Sequence, residues 1–466
     1  MAAPLSLRIA EFVAGISLDR LPDTALHAVR RLVLDTLGCA LGAVGAEPVR
    51  RLEAILPPPP APGTAGGAGS SYAGAARCLG SGRPTTAEGA AGVNGAMVRY
   101  LDFMDVYWSR DICHPAENIP VALACVEEAG GGGRALVEAI VAGYEVQIRL
   151  CDAFSFQDRG FHHVSAAGFV VPYVAGKAWG QPAGAMAHGS ALGGMRHLTL
   201  GALSHGKLSM AKAIGYPANA AAAITAARLA GAGFTGPLEA YEWLFERTAG
   251  PTEDPAALAL DFDAWRLEQV SLKGYPVQYA LQAPVAAAIR LHAALRGRLG
   301  EVTAIRARVR PETLARAADP AKFRPMDRET ADHSLPSCVA MALCDGVLTE
   351  HQFAAGRFRD PDVMRLTALV EPVGDAGFEQ RFPTGRPGAV EVLLRSGERL
   401  DAVEEVPLGD RERPMDDAAV QAKFLALAEP VIGAGKARQV MEFVAGLERQ
   451  PRIDALLDLC SIPTAR

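Results

Sequence analysis

The stretch ALVEAIVAGYEVQIRL, residues 135–150, decides the fold class of this chain. Its apolar side chains recur at steps of three and four residues, which is the spacing of one helix face. That face carries Val137, Ile140, Val141, Tyr144 and Ile148. The four glycines at positions 130–133 predict a break before this helix begins.

The same helical period continues on both sides of this stretch. Upstream, residues 22–41 (PDTALHAVRRLVLDTLGCAL) have an apolar stripe at Leu26, Val29, Val33 and Leu37. Downstream, residues 217–237 predict a small-residue helix closed by Gly233, and helical period returns from about Asp416. The proline- and glycine-rich segment Pro57–Ser71 cannot hold a helix and predicts an exposed loop.

A different pattern occupies the middle of the chain. Residues Val302–Arg310 alternate as a half-buried strand does, and a hairpin from Ala389 is predicted to turn at Ser396-Gly397. Helical segments lie between these strands. We therefore predict a mainly α fold, in which a smaller α+β lid domain (271–409) is inserted before the C-terminal helices of a large all-helical domain (1–270 and 410–466).

Composition excludes several functional classes. Half of the 466 residues are hydrophobic, 21% are charged, and the net charge is −6. No stripe of Lys and Arg interleaved with aromatic residues is present, so we expect no nucleic-acid partner. The most apolar stretch, Val164–Gly176, is too short to span a membrane and contains Pro172. The N-terminus lacks a signal-peptide pattern, so we expect a cytoplasmic protein.

The eight cysteines are scattered without a C-x-x-C pair. This argues against a zinc ribbon, an iron–sulfur cluster and dithiol redox chemistry. Most are interpreted as small buried hydrophobic residues. Cys113, beside His114, is a candidate nucleophile only if its surroundings are electropositive, which the sequence does not establish.

The densest polar cluster lies in RYLDFMDVYWSRDICHPAENIP, residues 99–120. Asp102 and Asp105 are three residues apart, so on a helix they would share a face. His114 precedes a proline, which favours an extended chain there. A carboxylate beside an imidazole can orient it and raise its basicity, which suits acid–base chemistry. The structural alternative is that the aspartates cap or pair locally and the histidine is merely exposed.

Three other segments contain candidate site residues. In GFHHVSAAG, His162 and His163 are adjacent, so we expect at most one of them to face a site. Lys273 lies at the predicted domain junction, where it could bind a substrate carboxylate, although a solvated surface position is the alternative. The run Asp332–Ser334 is not interpreted as a triad, because triad members meet in space. Instead, Ser334 is predicted to cap the following helix.

The order and spacing of several stretches together resemble the MmgE/PrpD family. That family includes 2-methylcitrate dehydratases, cis-aconitate decarboxylases and iminodisuccinate epimerase. The resemblance covers nearly the whole chain and rests on VLDTLGCALGA from Val33, AAGVNGAMVRYLDFMD from Ala90, HPAENIPVALA from His114, ALVEAIVAGYEVQIRL, GFHHVSAAG, KLSMAKAIGYPANAA, GFTGPLEAYE, SLKGYPVQY and DHSLPSCVAMALCDGVLT. It implies a helical domain with an α+β lid, a site between them, a homodimer, and no metal or other cofactor.

The resemblance also implies which residues form the site. The catalytic residues predicted from it are Asp102, Asp105, His114, His162 or His163, and Lys273. For binding of a small-molecule carboxylate substrate we predict Asn118, Lys212, His333 and Ser334.

Departures from the family pattern refine this expectation. Some members have D-F-D-D-T where this chain has Met104 and Val106. Decarboxylase-like members have a tyrosine where this chain has Ser337. They also have a basic residue at about the position where this chain has Ala222. These differences argue against a cis-aconitate decarboxylase.

The predicted function is a metal-independent lyase, above all a dehydratase, which removes a proton alpha to a carboxylate of a small hydroxy-carboxylate. The alternatives are an epimerase or isomerase on the same scaffold, and a non-catalytic member that only binds a ligand.

Overall fold

The computed structural model describes residues 3–58, 75–248, 258–382 and 385–462. Its buried apolar side chains form two separate cores. The larger core combines residues from Leu5 to Leu272 with residues from Met415 to Cys460. The smaller core runs from Val277 to Leu394. Both ends of the chain therefore build one helical body, and the middle of the chain builds a second unit, which we call the lid.

The first part of the helical body contains ten helices and two short antiparallel hairpins within the described residues. The helices are α1 Leu5–Gly15, α2 Asp23–Gly42, α3 Glu47–Ala54, α4 Ala87–Tyr100, α5 Asn118–Glu128, α6 Gly133–Ala153, α7 Ala166–Ala178, α8 Ala183–Gly194, α9 Ala211–Gly231 and α10 Ala240–Arg247. The hairpins pair β1 Ala76–Arg77 with β2 Pro84–Thr85, and β3 Tyr107–Trp108 with β4 Ile112–Cys113.

Small residues let these helices approach closely. Helices α7 and α8 pack where Gly168 faces Gly193. A Cβ atom on Gly193 would lie 2.3 Å from the carbonyl oxygen of Gly168, well inside van der Waals contact. Any larger side chain at this crossing would push the two helices apart, which explains the abundance of glycine and alanine in this part of the chain.

The lid is a four-stranded sheet with helices packed on it. Its elements are α11 Gln282–Leu295, β5 Val302–Val309, α12 Pro311–Ala317, α13 Arg328–Ala331, α14 Leu335–Asp345, α15 Glu350–Ala354, α16 Pro361–Thr367, β6 Val370–Gly374, α17 Ala376–Glu379, β7 Gly388–Leu394 and β8 Arg399–Glu404. The strand order is β6-β5-β7-β8, in which β5 runs parallel to β6 and antiparallel to β7. The predicted strand and the predicted hairpin are confirmed as β5 and as β7–β8.

The C-terminal segment returns to the helical body as α18 Asp417–Ala445 and α19 Asp454–Leu459. Gly433 interrupts α18 with φ 80° and ψ 152°, so α18 is two helices joined by a kink. Helix α18 packs against α2, which brings the two ends of the chain together. The fold is therefore mainly α with a smaller sheet-containing unit, as predicted.

Two local expectations change, and a third lies almost wholly outside the described residues. Helix α4 ends at Tyr100, so Asp102 and Asp105 lie in a loop and do not share a helix face. Helix α9 begins at Ala211 and continues through Pro217 instead of starting there. Nearly all of the predicted loop Pro57–Ser71 falls outside the described residues.

Within the described residues, no single helix has the length and apolar composition needed to cross a membrane. One pair, Asp23–Gly42 with Glu47–Ala54, meets the criterion jointly but is bent by 87°.

Candidate active site

A small cleft lies between the helical body and the lid. Its cavity has a volume of about 50 Å³. The helical body lines it with the polar residues Arg99, Asp102, His114, His162, His163 and Lys212. The linking segment and the lid contribute Lys273, Gln278, Tyr279, Arg316 and His333. Residues from segments far apart in sequence thus meet at one seam between the two cores.

Asp102 and Lys273 form a buried ion pair in this cleft. Lys273 Nζ lies 3.2 Å from Asp102 Oδ1 and donates a 2.9 Å hydrogen bond to the carbonyl oxygen of Asp102. An antiparallel bridge between Val106 and Ser271 aligns the two segments that carry these residues. Burial alone would raise the pKa of Asp102, but the charges of Lys273 and Lys212 hold it well below its usual value. Asp102 is therefore a carboxylate at neutral pH.

The backbone of Asp102 is strained. Its φ is +51°, and it is the one non-glycine residue with positive φ in the described part of the chain. The left-handed conformation costs about 1–2 kcal/mol for a residue with a Cβ atom. Its Oδ2 atom is buried and receives no hydrogen bond from any described residue. A strained backbone and an unsatisfied oxygen at one cleft residue are features of functional sites.

A second ion pair holds His333. Lys212 Nζ lies 2.7 and 2.8 Å from the two carboxylate oxygens of Asp332. Asp332 Oδ1 in turn accepts a 2.6 Å hydrogen bond from His333 Nδ1. Burial lowers the pKa of His333, Lys212 lowers it further, and the aspartates oppose the shift. His333 is therefore neutral, with its proton on Nδ1 and a lone pair on Nε2.

His114 has the same tautomer for a different reason. Its Nδ1 lies 2.6 Å from the carbonyl oxygen of Asp105, which can only accept a hydrogen bond. Nδ1 therefore carries the proton, and Nε2 keeps its lone pair. Burial, followed by the charges of Arg99 and Lys273, holds the pKa of His114 well below its ordinary value. A neutral imidazole with a free Nε2 is a base at neutral pH.

Asp105 supports this arrangement without lining the cleft. Its Oδ1 accepts from the backbone N–H of Ala116 at 3.0 Å, and its Oδ2 bonds the hydroxyl of Tyr144 at 2.7 Å. Burial raises its pKa to about 7. Of the two predicted aspartates, Asp102 lies at the cleft, whereas Asp105 contributes its backbone carbonyl to the orientation of His114.

Both His162 and His163 line the cleft, so the expectation that at most one would do so is wrong. The reason is local: a 3₁₀ turn begins at His163, so the two side chains do not alternate as in a strand. Their ring centroids are 4.2 Å apart, and His163 lies 5.4 Å from His114. Burial lowers the pKa of both. His162 Nδ1 accepts from the N–H of Val164 at 3.4 Å, which places its proton on Nε2.

Two arginines of the cleft were not predicted. Arg99, at the end of α4, lies 3.3 Å from Glu117, while its Nε is buried without a hydrogen-bond partner among the described residues. Arg316, on α12 of the lid, is half-buried and has no ion pair within the described ranges. Arg99 follows an apolar helical run, which could have suggested a buried cation. Nothing in the sequence around Arg316 distinguishes it from a surface arginine.

Two predicted substrate-binding residues do not line the cleft. The side-chain amide of Asn118 is hydrogen-bonded inside the helical body. It donates to the carbonyl oxygen of Pro115 and to the side chain of Gln147, and it accepts from the hydroxyl of Tyr216. Ser334 caps α14, where it accepts from the N–H of Ser337. The cap was predicted, but a direct contact of Asn118 or Ser334 with substrate is not what this geometry offers.

Cys113 is not an activated nucleophile. Its side chain is buried, and burial raises the pKa of its thiol well above the usual value, with Cys151 adding to the shift. A thiolate nucleophile requires the opposite shift.

Asp102, Asp332 and His333 each place one potential metal ligand within 4.8 Å of the others. Both carboxylates, however, already face an ammonium group, Lys273 on one and Lys212 on the other. A cation bound here would have to displace or closely approach these lysines. The donor set alone therefore fits a metal, but its charge is already balanced.

Comparison with known proteins places this cleft in a family context. The MmgE/PrpD N-terminal domain matches residues 7–255, and the MmgE/PrpD C-terminal domain matches residues 275–449. A 2-methylcitrate dehydratase of Cupriavidus necator is 26% identical, over 84% of this chain and 82% of its own. A mitochondrial 2-methylcitrate dehydratase of Yarrowia lipolytica is also 26% identical, and the match covers 87% of this chain and 80% of that protein. A cis-aconitate decarboxylase of Aspergillus terreus is 22% identical, and the match covers 98% of this chain and 96% of that protein.

Proposed function

The chain belongs to the MmgE/PrpD family, and we propose that it is a dehydratase that eliminates water from a small hydroxy-carboxylate. The similar proteins are named as dehydratases and decarboxylases, which are both lyases. The observation that carries the proposal is a cleft in which neutral imidazoles of fixed tautomer face several cations. This combination suits removal of a proton alpha to a carboxylate.

The cations bind the substrate and stabilise the charge that develops on it. Removal of the alpha proton places negative charge on the adjacent carboxylate. Lys273 and Arg99 are buried beside His114, where such charge would form. Because a closed cleft has a low effective dielectric, preorganised cations stabilise that charge more strongly than water would.

His114 is the proposed base. Its Nε2 lone pair takes the alpha proton, and the imidazolium that forms returns the proton to the departing hydroxyl, which leaves as water. His162 donates a hydrogen bond from Nε2–H to that oxygen. His162 is not assigned as the proton source, because a neutral imidazole that gave up its proton would become an anion.

One observation favours an epimerase as the second candidate. His333 also presents an Nε2 lone pair at the cleft, held by Asp332. Two bases at one cleft could remove a proton on one side of a carbon and return it on the other. Such an enzyme would form no double bond.

The test is turnover of 2-methylcitrate, citrate and cis-aconitate, followed by the absorbance of the new double bond and by release of carbon dioxide. We expect double-bond formation from a hydroxy acid, without carbon dioxide. His114→Ala and Lys273→Ala should lower the rate by roughly 10²- to 10⁴-fold. His351→Ala, at an exposed histidine of α15, is the matched control.

Each outcome decides among the alternatives. Incorporation of solvent deuterium without a new double bond would favour the epimerase. Ligand-induced thermal stabilisation with neither exchange nor turnover would favour a binding protein. Wild-type rates in both His114→Ala and Lys273→Ala would refute the site assignment.

A further inference from the structure

The segment VLDTLGCALGA of α2 packs against the C-terminal helix α18, next to the loops that carry Asp102 and Lys273. Asp35 of α2 lies in the first, and Lys423 of α18 lies in the second. Lys423 Nζ is 2.7 Å from Asp35 Oδ1, and the two side chains are 7% and 1% exposed. Burial raises the pKa of Asp35, while Lys423 opposes that shift. Neither residue lines the cleft, and the mechanism above uses neither.

Within the described part of the chain, the further contacts of Lys423 are with the loops that carry the cleft residues. Its Nζ donates to the carbonyl oxygen of Phe103 at 2.8 Å and to that of Lys273 at 3.1 Å. It also lies 3.8 Å from the centroid of the Phe103 ring. Phe103 directly follows Asp102 in the chain. One ammonium group therefore fixes the backbone on both sides of the Asp102–Lys273 pair.

The strain at Asp102 explains why such an anchor is needed. A non-glycine residue stays in the left-handed region only where its surroundings over-determine it. The carbonyl of Asp102 is held by Lys273, and the next carbonyl is held by Lys423. Released from Lys423, the loop could relax to negative φ, which would move the Asp102 carboxylate relative to Lys273.

We propose that Lys423 is a positioning residue for the Asp102–Lys273 pair, with Asp35 as its counter-ion. The C-terminal helix thereby becomes part of the catalytic apparatus without contributing a side chain to the cleft. The inference rests on the proposed function for its kinetic test, but its structural test does not.

The kinetic test compares Lys423→Met with Lys436→Met. Lys436 is the matched control, because it lies on α18 beyond the kink at Gly433 and also donates to two carbonyls, those of Asp458 and Ser461. A displacement of about 1 Å at reacting groups can lower the rate about 100-fold. We expect a loss of that order in kcat/KM for Lys423→Met and none for Lys436→Met. Lys423→Arg, which keeps a donor and the charge, should recover part of the activity.

A double variant separates positioning from stability. Lys423→Met alone leaves Asp35 buried without its counter-ion, so its melting temperature should fall. Asp35→Asn/Lys423→Met removes both charges, so the melting temperature should recover while the activity stays low. Recovery of both quantities together would mean that the pair serves only the fold, and would overturn the proposal.

The structural test needs no substrate. In a crystal structure of Asp35→Asn/Lys423→Met, we expect Asp102 to leave positive φ and its carboxylate to separate from Lys273 Nζ. If both keep the wild-type geometry, Lys423 does not position them, whatever the enzyme acts on. A failure of the proposed function alone would instead appear as an inactive wild-type protein whose variant still shows the displaced loop.

Discussion

Arg316 is the cation through which substrate binding can be separated from protein stability. The other cations of the cleft, Arg99, Lys212 and Lys273, each pair with a buried carboxylate. Arg316 reaches the cleft from α12 and has no ion pair in the part of the chain that the structure describes. We predict that it binds a carboxylate of the substrate and that Arg316→Gln weakens binding without unfolding the protein.

The size of the effect follows from this lack of a partner. Because no ion pair is lost, Arg316→Gln should change the free energy of unfolding by no more than about 0.5 kcal/mol, as for an ordinary surface residue. A hydrogen bond between charged groups contributes about 1.5–3 kcal/mol. At about 1.4 kcal/mol per tenfold change, KM should rise roughly 10- to 150-fold. The rise should come with little change in kcat if the contact is equally strong in the ground and transition states.

The assay is steady-state kinetics on the hydroxy acid that the wild type turns over, together with thermal melting. Arg296→Gln is the matched control, because it removes an exposed arginine from the lid outside the cleft. Arg316→Lys should lie between wild type and Arg316→Gln, since lysine keeps the charge but loses the bidentate geometry. An unchanged KM in Arg316→Gln, or a KM change no larger than that of Arg296→Gln, would refute the reasoning.

Three other predictions concern protonation and metals. Since His114 is neutral until the pH falls well below 6.5, kcat/KM should stay flat as the pH is lowered from 8 to 6.5, and an acid limb centred at or above 6.5 would contradict this. Asp105 has a pKa raised from 3.8 to about 7, so its stability contribution is present below pH 3.8 and is lost as pH rises through 7. Urea unfolding should therefore show wild type losing stability relative to Asp105→Asn, by several kcal/mol between pH 4 and 8, whereas a constant difference would refute the raised pKa. Since Lys212 and Lys273 already balance Asp332 and Asp102, prolonged dialysis against EDTA should leave turnover unchanged, and a loss restored by added divalent metal would show that a metal ion is required.

Periodic patterns in the sequence were sufficient for the architecture. The stripe in residues 135–150 predicted α6, and the alternation from Val302 predicted β5, because both patterns depend on which face of an element is buried. The spacing of Asp102 and Asp105 was interpreted as one helix face, but both lie in the loop after α4. A three-residue spacing brings side chains to one face only on a helix. The positive φ of Asp102 has no signature in the sequence, because its residue type does not require it.

The composition of the site was predictable in part. Asp102, His114, His162, His163, Lys212, Lys273 and His333 all line the cleft, and each was assigned from the polar stretches or from the family resemblance. Arg316 and Lys423 were not found, because their roles depend on tertiary contacts. Lys423 acts on two carbonyl groups, and a backbone acceptor leaves no residue pattern that sequence reasoning can detect.

Desolvation links the two chemical requirements of this cleft. Burial lowers the pKa of His114, His162 and His163, which keeps them uncharged and available as a base and as hydrogen-bond donors. The same burial would destabilise isolated cations, and pairing of Lys212 and Lys273 with carboxylates offsets that cost. A substrate anion that enters brings negative charge close to His114 and raises its pKa, so the base becomes stronger once the substrate is bound. In a solvated site, the histidine pKa values would not be lowered and the substrate charge would be screened from His114. Both effects therefore depend on the position of the cleft between the two cores and on the contacts of Lys423 that hold its loops in place.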